Sequence, residues 1–282
     1  MQTIAVLMTC HNRREKTLAC LDALFSSSPV LNTAVEVFVV DDGSTDGTSS
    51  AIKAAYPSVH VIAGDGNLYW NGGMRVAFAA AMVKGFDFYL WLNDDTIVYA
   101  NALPSLLALA NVEQQRQNKP AVIVGTTQDA PGGTPTYGGL RRKSVWRPLT
   151  HTLVFAQTAP ASCETMNGNC VLIPNEAAKR LGNLEASFVH SMGDIDYGLR
   201  ASNAGFPLMV LPGYVGLCSH NPISNTFMDA RLSLSQRWSK ITGEKGLPMK
   251  QRYILVRRHG GWVWPFVYVW PYIKVIFRID LK

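Results

Sequence analysis

The first 125 residues alternate between short β-rich runs and longer stretches with helical spacing, and this alternation constrains the fold more than any other feature. Near-continuous apolar strands that alternate with helices are typical of a mostly parallel sheet covered on both faces. The sequence therefore predicts an α/β fold with a Rossmann-like, mostly parallel central sheet flanked by helices. The predicted strands are 4–8, 35–40, 59–63, 88–92 and 121–125, and the predicted helices are 13–27, 46–55, 73–84 and 102–117.

Polar motifs follow four of these predicted strands. They occupy residues 9–13, 41–42, 64–75 and 93–95. In open α/β sheets, ligands bind outside the carboxyl ends of the strands, near a point where the strand order reverses. The coincidence of four motifs with four strand ends therefore predicts a ligand site along this edge of the sheet.

Two adjacent carboxylates stand in Asn93-Asp94-Asp95, directly after the apolar run 88–92. Neighbouring carboxylates repel each other unless positive charge lies close to them. Mg²⁺ is commonly held by one or two carboxylates together with substrate phosphates, so the motif suits a metal ion bound to a phosphorylated ligand. The alternative is a plain strand-ending turn, because Asn and Asp are common turn residues.

A second acidic block, Asp41-Asp42-Gly43-Ser44-Thr45-Asp46, follows another predicted strand. A carboxylate at this position is able to accept hydrogen bonds from a base edge or a ribose hydroxyl. The alternative is simple capping of the next helix, which Asp46 is able to supply alone.

The chain has 282 residues, of which 48% are hydrophobic, with a formal net charge of +6 and a pI near 9.1. This composition indicates a globular protein, and its basic balance suits a phosphorylated substrate, nucleic acid or an anionic membrane surface. We expect no nucleic-acid partner, because no recognition-helix pattern, zinc-ligand spacing or aromatic RNA-binding motif is visible. The five cysteines are expected to be free thiols in a reducing cytoplasm, and residues 1–8 carry no signal-peptide pattern.

The second half of the chain is organised differently. Residues 126–165 are rich in turns and predict irregular loops or a small hairpin over the site. Further strands are predicted at 171–174, 208–211 and 215–218, helices at 175–181 and 194–203, and mostly helical structure from 228 onwards. We expect a catalytic domain at 1–225, with halves at about 1–125 and 126–225, followed by a helical segment at 226–282.

The C-terminal stretch 262–278 is aromatic and apolar, but Pro265 and Pro271 interrupt it and Lys274 and Arg278 lie near its end. A membrane-spanning helix needs about 20 predominantly apolar residues. Trp and Tyr favour the membrane–water interface, so a segment that lies on the membrane fits the pattern better than a span. The alternative is a helix packed on the body of the protein.

Three motifs together resemble a known family. Thr9-Cys10-His11-Asn12-Arg13, Val40-Asp41-Asp42-Gly43-Ser44-Thr45-Asp46 and Leu92-Asn93-Asp94-Asp95, in this order and spacing, resemble a family 2 inverting glycosyltransferase of the GT-A fold. Within that family the chain looks like the rhamnosyltransferase-type branch of bacterial polysaccharide enzymes. The resemblance covers roughly residues 3 to 260.

The resemblance implies roles on the donor side. Thr9 and Asn12 would line the nucleotide pocket, Asp41 would contact the base, and Asp42 would lie nearby. The segment 67–75 resembles the Asn- and Gly-rich part of the family that packs near the donor ribose and diphosphate. Its implied binding residues are Asn67, Gly73, where the backbone approaches closely, and Arg75, which either pairs with a phosphate or is an exposed helix charge.

The resemblance also implies the metal and donor-sugar positions. Asn93-Asp94-Asp95 stands for the Asp-x-Asp of the family, with Asp95 as the metal ligand and Asp94 facing the ribose or donor sugar. Asn93 replaces the first acid and brings an amide oxygen without charge. His220 matches a family His that ligates the metal or contacts the diphosphate.

The general base is implied at Asp194, in Met192-Gly193-Asp194-Ile195-Asp196. Gly193 replaces the acid that usually precedes it in the family. Asp196 and Arg200 are four residues apart, which suits an ordinary ion pair on a helix, so Asp196 is expected to be structural.

These features predict an enzyme that moves a sugar from a nucleotide-diphosphate donor, dTDP-rhamnose or UDP-hexose, to a saccharide or lipid-linked saccharide acceptor in bacterial cell-surface polysaccharide or lipopolysaccharide synthesis. A divalent cation, Mn²⁺ or Mg²⁺, would assist, and the protein would be cytoplasmic or peripheral on the inner face of the membrane. The oligomeric state is not readable from the sequence.

Three alternatives were weighed. A sugar nucleotidyltransferase would carry a Gly-rich signature after the first strand, and a dinucleotide dehydrogenase would carry Gly-x-Gly-x-x-Gly there, but residues 9–13 have neither. A non-catalytic nucleotide-sugar or glycan-binding module stays open, with Asn93 as its support.

Overall fold

A computed structural model describes residues 1–27 and 30–279, which form fourteen strands and nine α-helices. The strands are β1 (Gln2–Cys10), β2 (Thr33–Asp41), β3 (His60–Ala63), β4 (Phe88–Leu92), β5 (Ile97–Val98), β6 (Val122–Val124), β7 (Thr127–Gln128), β8 (Gly139–Ser144), β9 (Arg147–Val154), β10 (Ala161–Ser162), β11 (Thr165–Met166), β12 (Cys170–Pro174), β13 (Leu208–Val210) and β14 (Gly216–Leu217). The helices are α1 (Arg14–Phe25), α2 (Thr48–Ala55), α3 (Tyr69–Lys84), α4 (Ala102–Gln117), α5 (Asn175–Leu181), α6 (Gly193–Asn203), α7 (Leu234–Thr242), α8 (Met249–His259) and α9 (Trp264–Ile276), with a 3₁₀ turn at Gly261–Val263.

Eight strands form the central sheet, in the order β10-β13-β6-β12-β4-β1-β2-β3. The strands β4, β1, β2 and β3 run parallel to one another, and β13 runs parallel to β6. Strand β12 lies between β4 and β6 and is antiparallel to both, which confirms a sheet that is mostly but not wholly parallel.

The sheet is covered on both faces. Along β1, Ile4 and Val6 pack into a core layer with Leu21 of α1 and Leu106 of α4, while Leu7 packs into the opposite layer. That second layer is filled by α3, α5 and α6. Both faces of the strands are therefore buried, which explains why their sequences are apolar without alternation.

Most predicted elements are confirmed to within a few residues, and the strand Phe88–Leu92 and the helices Ala102–Gln117 and Asn175–Leu181 match the prediction in both ends. Helix α3 begins at Tyr69, four residues earlier than the predicted start at residue 73. The reason is a distant carboxylate: Asp42 accepts hydrogen bonds from the backbone N–H groups of Gly66, Leu68 and Tyr69. These N–H groups have no carbonyl partner within the helix. Their acceptor, Asp42, directly follows β2, and the sequence around residue 69 does not reveal it.

The turn-rich segment 126–165 folds into the hairpin β8–β9 together with short strands. The expectation of a hairpin is confirmed. The hairpin itself does not lie over the site, because no residue of β8 or β9 lines the cavity described below, but Tyr137 of the same segment does. Strand β9 packs instead against the C-terminal helices α8 and α9. The hairpin and the C-terminal segment thus form one flank of the molecule.

The C-terminal segment is helical, as predicted, and is held on the body through polar contacts. Pro271 lies inside α9. Because proline has no N–H, the carbonyl of Val267 four residues earlier lacks its usual hydrogen-bond donor within the helix. The guanidinium of Arg252 on α8 donates to that carbonyl and to the carbonyl of Tyr268. No helix in the described residues is long and apolar enough to cross a bilayer.

Candidate active site

A cavity of about 750 Å³ opens at the carboxyl ends of β1, β2 and β4. The polar motifs after these strands meet there, as the strand pattern predicted. Asp95 and Asp194, which are 99 residues apart in the chain, both line this cavity. The lining also includes Thr9, Asp42, Asn93 and Asp94 from the predicted set.

Arg13 neutralises the acidic pair at the end of β4. Its Nη1 lies 2.9 Å from Oδ1 of Asp94, and its Nη2 lies 2.5 Å from Oδ2 of Asp95. Burial raises the pKa of Asp94 to about 7, with Arg13 opposing the rise and Asp95 adding to it. No role for Arg13 was predicted from the sequence, although its position after β1 and its charge were signals that it faces the same edge as the acids.

The acids of the second block act within the protein. Asp42 is buried and its two oxygens accept three backbone N–H groups of the 66–69 loop, which orders that side of the cavity. Asp41 is also buried, accepts the N–H of Ser44 at 3.0 Å, and is not among the lining residues. Asp41 and Asp42 thus order loops, whereas Asp46 accepts the N–H of Thr48 at the start of α2 at 3.0 Å, which agrees with the capping alternative for that residue.

The other donor-side residues occupy different places. Gly73 allows α3 to touch β1, because a Cβ there would lie 2.0 Å from Oγ1 of Thr9. Asn12 lies at the surface, where its side-chain oxygen accepts the N–H of Thr45 at 2.7 Å. Asn67 is exposed, and Arg75 donates to the carbonyl of Leu184 at 2.5 Å, outside the cavity lining.

Asn93 holds an aromatic wall of the cavity. Its side-chain oxygen accepts the indole N–H of Trp70 at 2.8 Å, and its backbone N–H donates to the carbonyl of Asn169 at 3.1 Å. Trp70 itself lines the cavity. The amide that replaces an acid in this motif therefore accepts a hydrogen bond from a neutral donor. Because its oxygen is uncharged, it does so without adding a third negative charge beside Asp94 and Asp95.

Asp194 stands in the first turn of α6 and faces the cavity. Its oxygens accept the N–H of Ile195 at 2.8 Å and of Gly168 at 3.1 Å. Burial raises its pKa, and these two hydrogen bonds oppose the rise. No basic side chain within residues 1–27 and 30–279 forms an ion pair with it.

Gly193, directly before Asp194, is required by close packing. A Cβ at this position would lie 1.7 Å from Oδ1 of Asn71. The side-chain nitrogen of Asn71 donates to the carbonyls of Glu185 and Phe188 and so holds the loop before α6. The family acid that the sequence lacks at position 193 has no room here.

Asp196 has a structural environment, as expected. Its side chain is fully buried and lies 2.8 Å from Arg200, 2.6 Å from Arg258 and 2.9 Å from His259. Burial works against its charged form, but hydrogen bonds from His259, Arg200 and Arg258 lower its pKa below the usual value. Arg258 is therefore committed to this cluster and to Glu185.

His220 is not among the residues that line the cavity, although Ser219 and Asn221 are. Its ring packs edge-on against Tyr137 with 5.0 Å between ring centroids. Among the residues that the structure describes, no three or more His, Cys, Asp or Glu side chains are arranged to hold a metal ion. Asp95 lines the cavity with 17% of its side chain exposed. This donor set fits an ion held by one carboxylate together with substrate phosphates.

Several lining residues were not predicted individually from the sequence. Tyr137 comes from the turn-rich segment that was expected over the site, Asn167 from the link between β11 and β12, His190 from the loop before α6, and Lys245 and Leu247 from the C-terminal segment. No common motif links them in sequence. The C-terminal segment thus helps to build the cavity rim.

Residues 5–181, more than half of the chain, match the profile of the family described as Glycosyl transferase family 2. The chain belongs to glycosyl transferase family 2. This family match confirms the resemblance read from the three motifs, and it makes the protein a glycosyltransferase. The matched region ends before Asp194.

Two curated relatives are N-acetylglucosaminyl-diphospho-decaprenol L-rhamnosyltransferases from Mycobacterium tuberculosis strains CDC 1551 / Oshkosh and ATCC 25618 / H37Rv. Each is 25% identical to this glycosyltransferase over 264 residues, which cover 85% of this chain and 80% of the relative.

Solved structures of glycosyltransferases share the fold. The mannosyltransferase PcManGT from Pyrobaculum calidifontis, in complex with GDP-Man and Mn²⁺, gives a TM-score of 0.57 at 15% identity and covers 96% of this chain and 69% of that one. Residues 1–349 of S. aureus TarS give a TM-score of 0.57 at 13% identity and cover 100% of this chain and 76% of that one. The predicted GT-A type fold is thereby confirmed.

Proposed function

We propose that this family 2 enzyme is an inverting glycosyltransferase that moves a sugar from a nucleoside-diphosphate donor to a saccharide or lipid-linked saccharide acceptor in bacterial cell-surface polysaccharide synthesis. One observation carries the proposal: Asp95 and Asp194 line a single cavity at the carboxyl edge of the sheet. Had they opened on separate surfaces, one sugar would not have been able to meet both.

Asp194 is the proposed general base. It lines the cavity without a cationic partner in the described chain, and two backbone N–H groups hold its carboxylate in place. A carboxylate oxygen of Asp194 takes the proton of the acceptor hydroxyl while the hydroxyl oxygen attacks the anomeric carbon of the donor sugar. The nucleoside diphosphate leaves from the opposite face, so the anomeric configuration inverts in one displacement.

The donor is proposed to lie against the β1 and β4 end of the cavity, between Thr9, Asn93 and Asp94. Asp42 contributes by ordering the loop that forms this side. A divalent ion, Mn²⁺ or Mg²⁺, would be held by Asp95 together with the diphosphate oxygens, and it would supply positive charge to offset the charge on the leaving group. His220 would contact the diphosphate only after movement of the ring from Tyr137.

The relatives favour a deoxyhexose donor and a lipid-linked acceptor, because they are named for L-rhamnosyl transfer to a diphospho-decaprenol saccharide. We therefore infer dTDP-rhamnose ahead of UDP-hexose as donor. We also place the enzyme in the cytoplasm at the inner face of the membrane, where such an acceptor is anchored. Free thiols fit that compartment, since all five cysteines lie buried and unpaired.

A donor screen followed by a transfer assay tests the proposed function. Melting temperatures are measured with dTDP-rhamnose, UDP-glucose and GDP-mannose, with and without Mn²⁺. A ligand at 100 times its dissociation constant stabilises the native state by about 2.7 kcal/mol. We expect the largest rise with dTDP-rhamnose and Mn²⁺ together, and transfer from the same donor with inversion at the anomeric carbon.

A sugar-binding module is the alternative that this experiment excludes or supports. Donor-dependent stabilisation without any donor turnover or transfer, over a panel of lipid-linked saccharides, would support it. Retention of configuration in the product would refute the direct displacement by an acceptor activated at Asp194.

A further inference from the structure

The outer face of α9 is apolar and uncovered. Trp262 and Phe266 are each 74% exposed, Trp270 is 51% exposed and Phe277 is 70% exposed. Phe266 and Trp270 are four residues apart on α9 and therefore lie on one side of it, while Trp262 lies in the 3₁₀ turn before the helix and Phe277 directly after it. On the opposite side, Tyr272 and Val275 are buried against α7. This helix is therefore seated on the protein by one face and presents aromatic rings to the outside with the other.

The tip of the β8–β9 hairpin extends this face. Val145 and Trp146 form the tip and are 72% and 64% exposed. The ring of Trp146 meets that of Trp262 edge-on, with 4.9 Å between centroids. Two segments more than 100 residues apart thus form one continuous surface. We call it the aromatic surface, and it consists of Val145, Trp146, Trp262, Phe266, Trp270 and Phe277.

Positive charge lies beside the aromatic surface. Residues 245–279 contain seven Lys and Arg and no Asp or Glu, although Arg252, Arg258 and Lys245 are engaged in the body or the cavity, and the hairpin residues 139–154 contain four Lys and Arg and no acid. Lys143 and Arg147 flank the tip, and Lys274 lies over the ring of Trp270 at 5.8 Å. A second copy of the chain would bring the same charges against each other across a two-fold contact. The complementary partner is an anionic layer that accepts aromatic rings.

The aromatic surface is connected to the cavity by direct contacts. Tyr272, on the inner side of α9, donates its hydroxyl to the carbonyl of Leu247 at 2.6 Å. Leu247 and Lys245 line the cavity that holds Asp194. A surface that rests on a bilayer through α9 therefore holds this part of the rim next to the lipid.

We propose that the aromatic surface docks this enzyme on an anionic phospholipid bilayer, with the hairpin tip and α9 entering the interface together, and that docking presents the Lys245–Leu247 rim to a lipid-linked acceptor. The docking itself is independent of the proposed function. The presentation of the acceptor rests on the proposed function. Anchoring by two segments explains why the hairpin packs on the C-terminal helices and not over the cavity.

Vesicle flotation of the full chain tests docking without any sugar nucleotide. Vesicles of phosphatidylcholine alone are compared with vesicles that also contain phosphatidylglycerol. We expect binding to the anionic vesicles that weakens as salt is raised. The double variant Trp146→Ser and Trp262→Ser is expected to bind at least about tenfold more weakly.

Two valines supply a matched control. Val145→Ser removes an apolar side chain from the hairpin tip, whereas Val83→Ser removes one that is 89% exposed on α3, on another side of the protein. Val145→Ser is expected to weaken vesicle binding and Val83→Ser to leave it unchanged. Equal effects of the two valine changes on vesicle binding, or unchanged binding of the double tryptophan variant, would overturn the proposal. It would also be overturned if the protein formed a dimer without lipid and the tryptophan changes dissociated that dimer.

Transfer assays separate this inference from the proposed function. With a lipid-linked acceptor in anionic vesicles, the double tryptophan variant is expected to lose about tenfold or more in rate, in line with its weaker binding. With a water-soluble acceptor of the same saccharide, its rate should equal that of the unmodified enzyme. Vesicle binding without any transfer would refute only the proposed function, and full transfer by an enzyme that ignores vesicles would refute only the docking.

Discussion

Two aspartates in the first turn of α6 have opposite surroundings. Asp194 faces the cavity, accepts only backbone N–H groups, and has a raised pKa because of burial. Asp196, two residues later, is enclosed by Arg200, Arg258 and His259, and its pKa is lowered. The same side chain on the same turn thus has its charged form disfavoured in one case and stabilised in the other.

The difference shows how one helix serves both the chemistry and the assembly of the molecule. Asp196 joins α6 to Arg258 and His259 of α8, so it ties the C-terminal segment to the catalytic domain. A similar cationic partner beside Asp194 would lower the pKa of its carboxyl group and so make it a weaker base. The lack of an ion-pair partner for Asp194 in the described chain is thus as informative as the three partners of Asp196.

The largest expected effect comes from Asp194→Asn. The amide keeps the shape but is unable to accept a proton, so kcat should fall by about 10²- to 10⁴-fold. Donor-induced stabilisation, measured by the rise in melting temperature, should be retained. The free energy of unfolding should stay unchanged or rise, because a buried carboxylate with a raised pKa is replaced by a neutral group. Transfer at the unmodified rate would remove Asp194 from the role of base.

The second effect is that of Asp196→Asn, which is the matched control for the first. Removing one partner of a buried ion pair costs about 3–5 kcal/mol. Because Arg258 is 34% exposed and keeps Glu185 as a partner, we expect a loss of about 2–3 kcal/mol in the free energy of unfolding, measured with urea. The folded variant should keep much of its kcat. A variant as stable as the unmodified protein would show that the cluster does not hold α8 in place.

The smallest expected effect is that, as the pH falls, the decline in activity and the loss of stability occur over different pH ranges. The raised pKa of Asp194, together with the pKa of about 7 for Asp94, predicts that kcat/KM declines as the pH falls from neutral. The lowered pKa of Asp196 contributes stability above its unfolded value, near 3.9, and this stability is lost only as the pH falls further towards the folded value.

Activity profiles and urea melts over the same pH range measure this separation. We expect activity to decline while the free energy of unfolding still includes the contribution from Asp196. If both fell together over one pH interval, the contrast between the two aspartates would not be real. The Asp196→Asn variant should lose the low-pH stability transition and keep the activity profile.

The sequence predicted the sheet and its ligand edge well, because both depend on local patterns. Phe88–Leu92 is apolar throughout since both faces of β4 are buried, and Asn93–Asp95 lies where such a strand must end. The ordered motifs placed Asp95 and Asp194 in one family site. Their meeting in one cavity followed from that family relationship, since no local pattern joins residues so far apart.

Other parts of the site depend on contacts between distant segments. Arg13 pairs with both Asp94 and Asp95, and Asp42 starts α3 by accepting its free N–H groups. Neither pairing leaves a periodic signal along the chain. Lys245 and Leu247 reach the cavity only because α8 and α9 fold back on the body. A helix packed on the body was the alternative considered for the C-terminal stretch, but the pattern did not show that this packing brings residues to the cavity.

The contact between Asn71 and Gly193 has a consequence for how this sequence is able to diverge. An acid at position 193 would collide with Asn71, while a shorter residue at position 71 would release the carbonyls of Glu185 and Phe188. Each single step is harmful by itself, so the two positions are epistatic and have to be exchanged as a pair. A lineage that has acquired this combination therefore keeps glycine before Asp194 unless both positions change together.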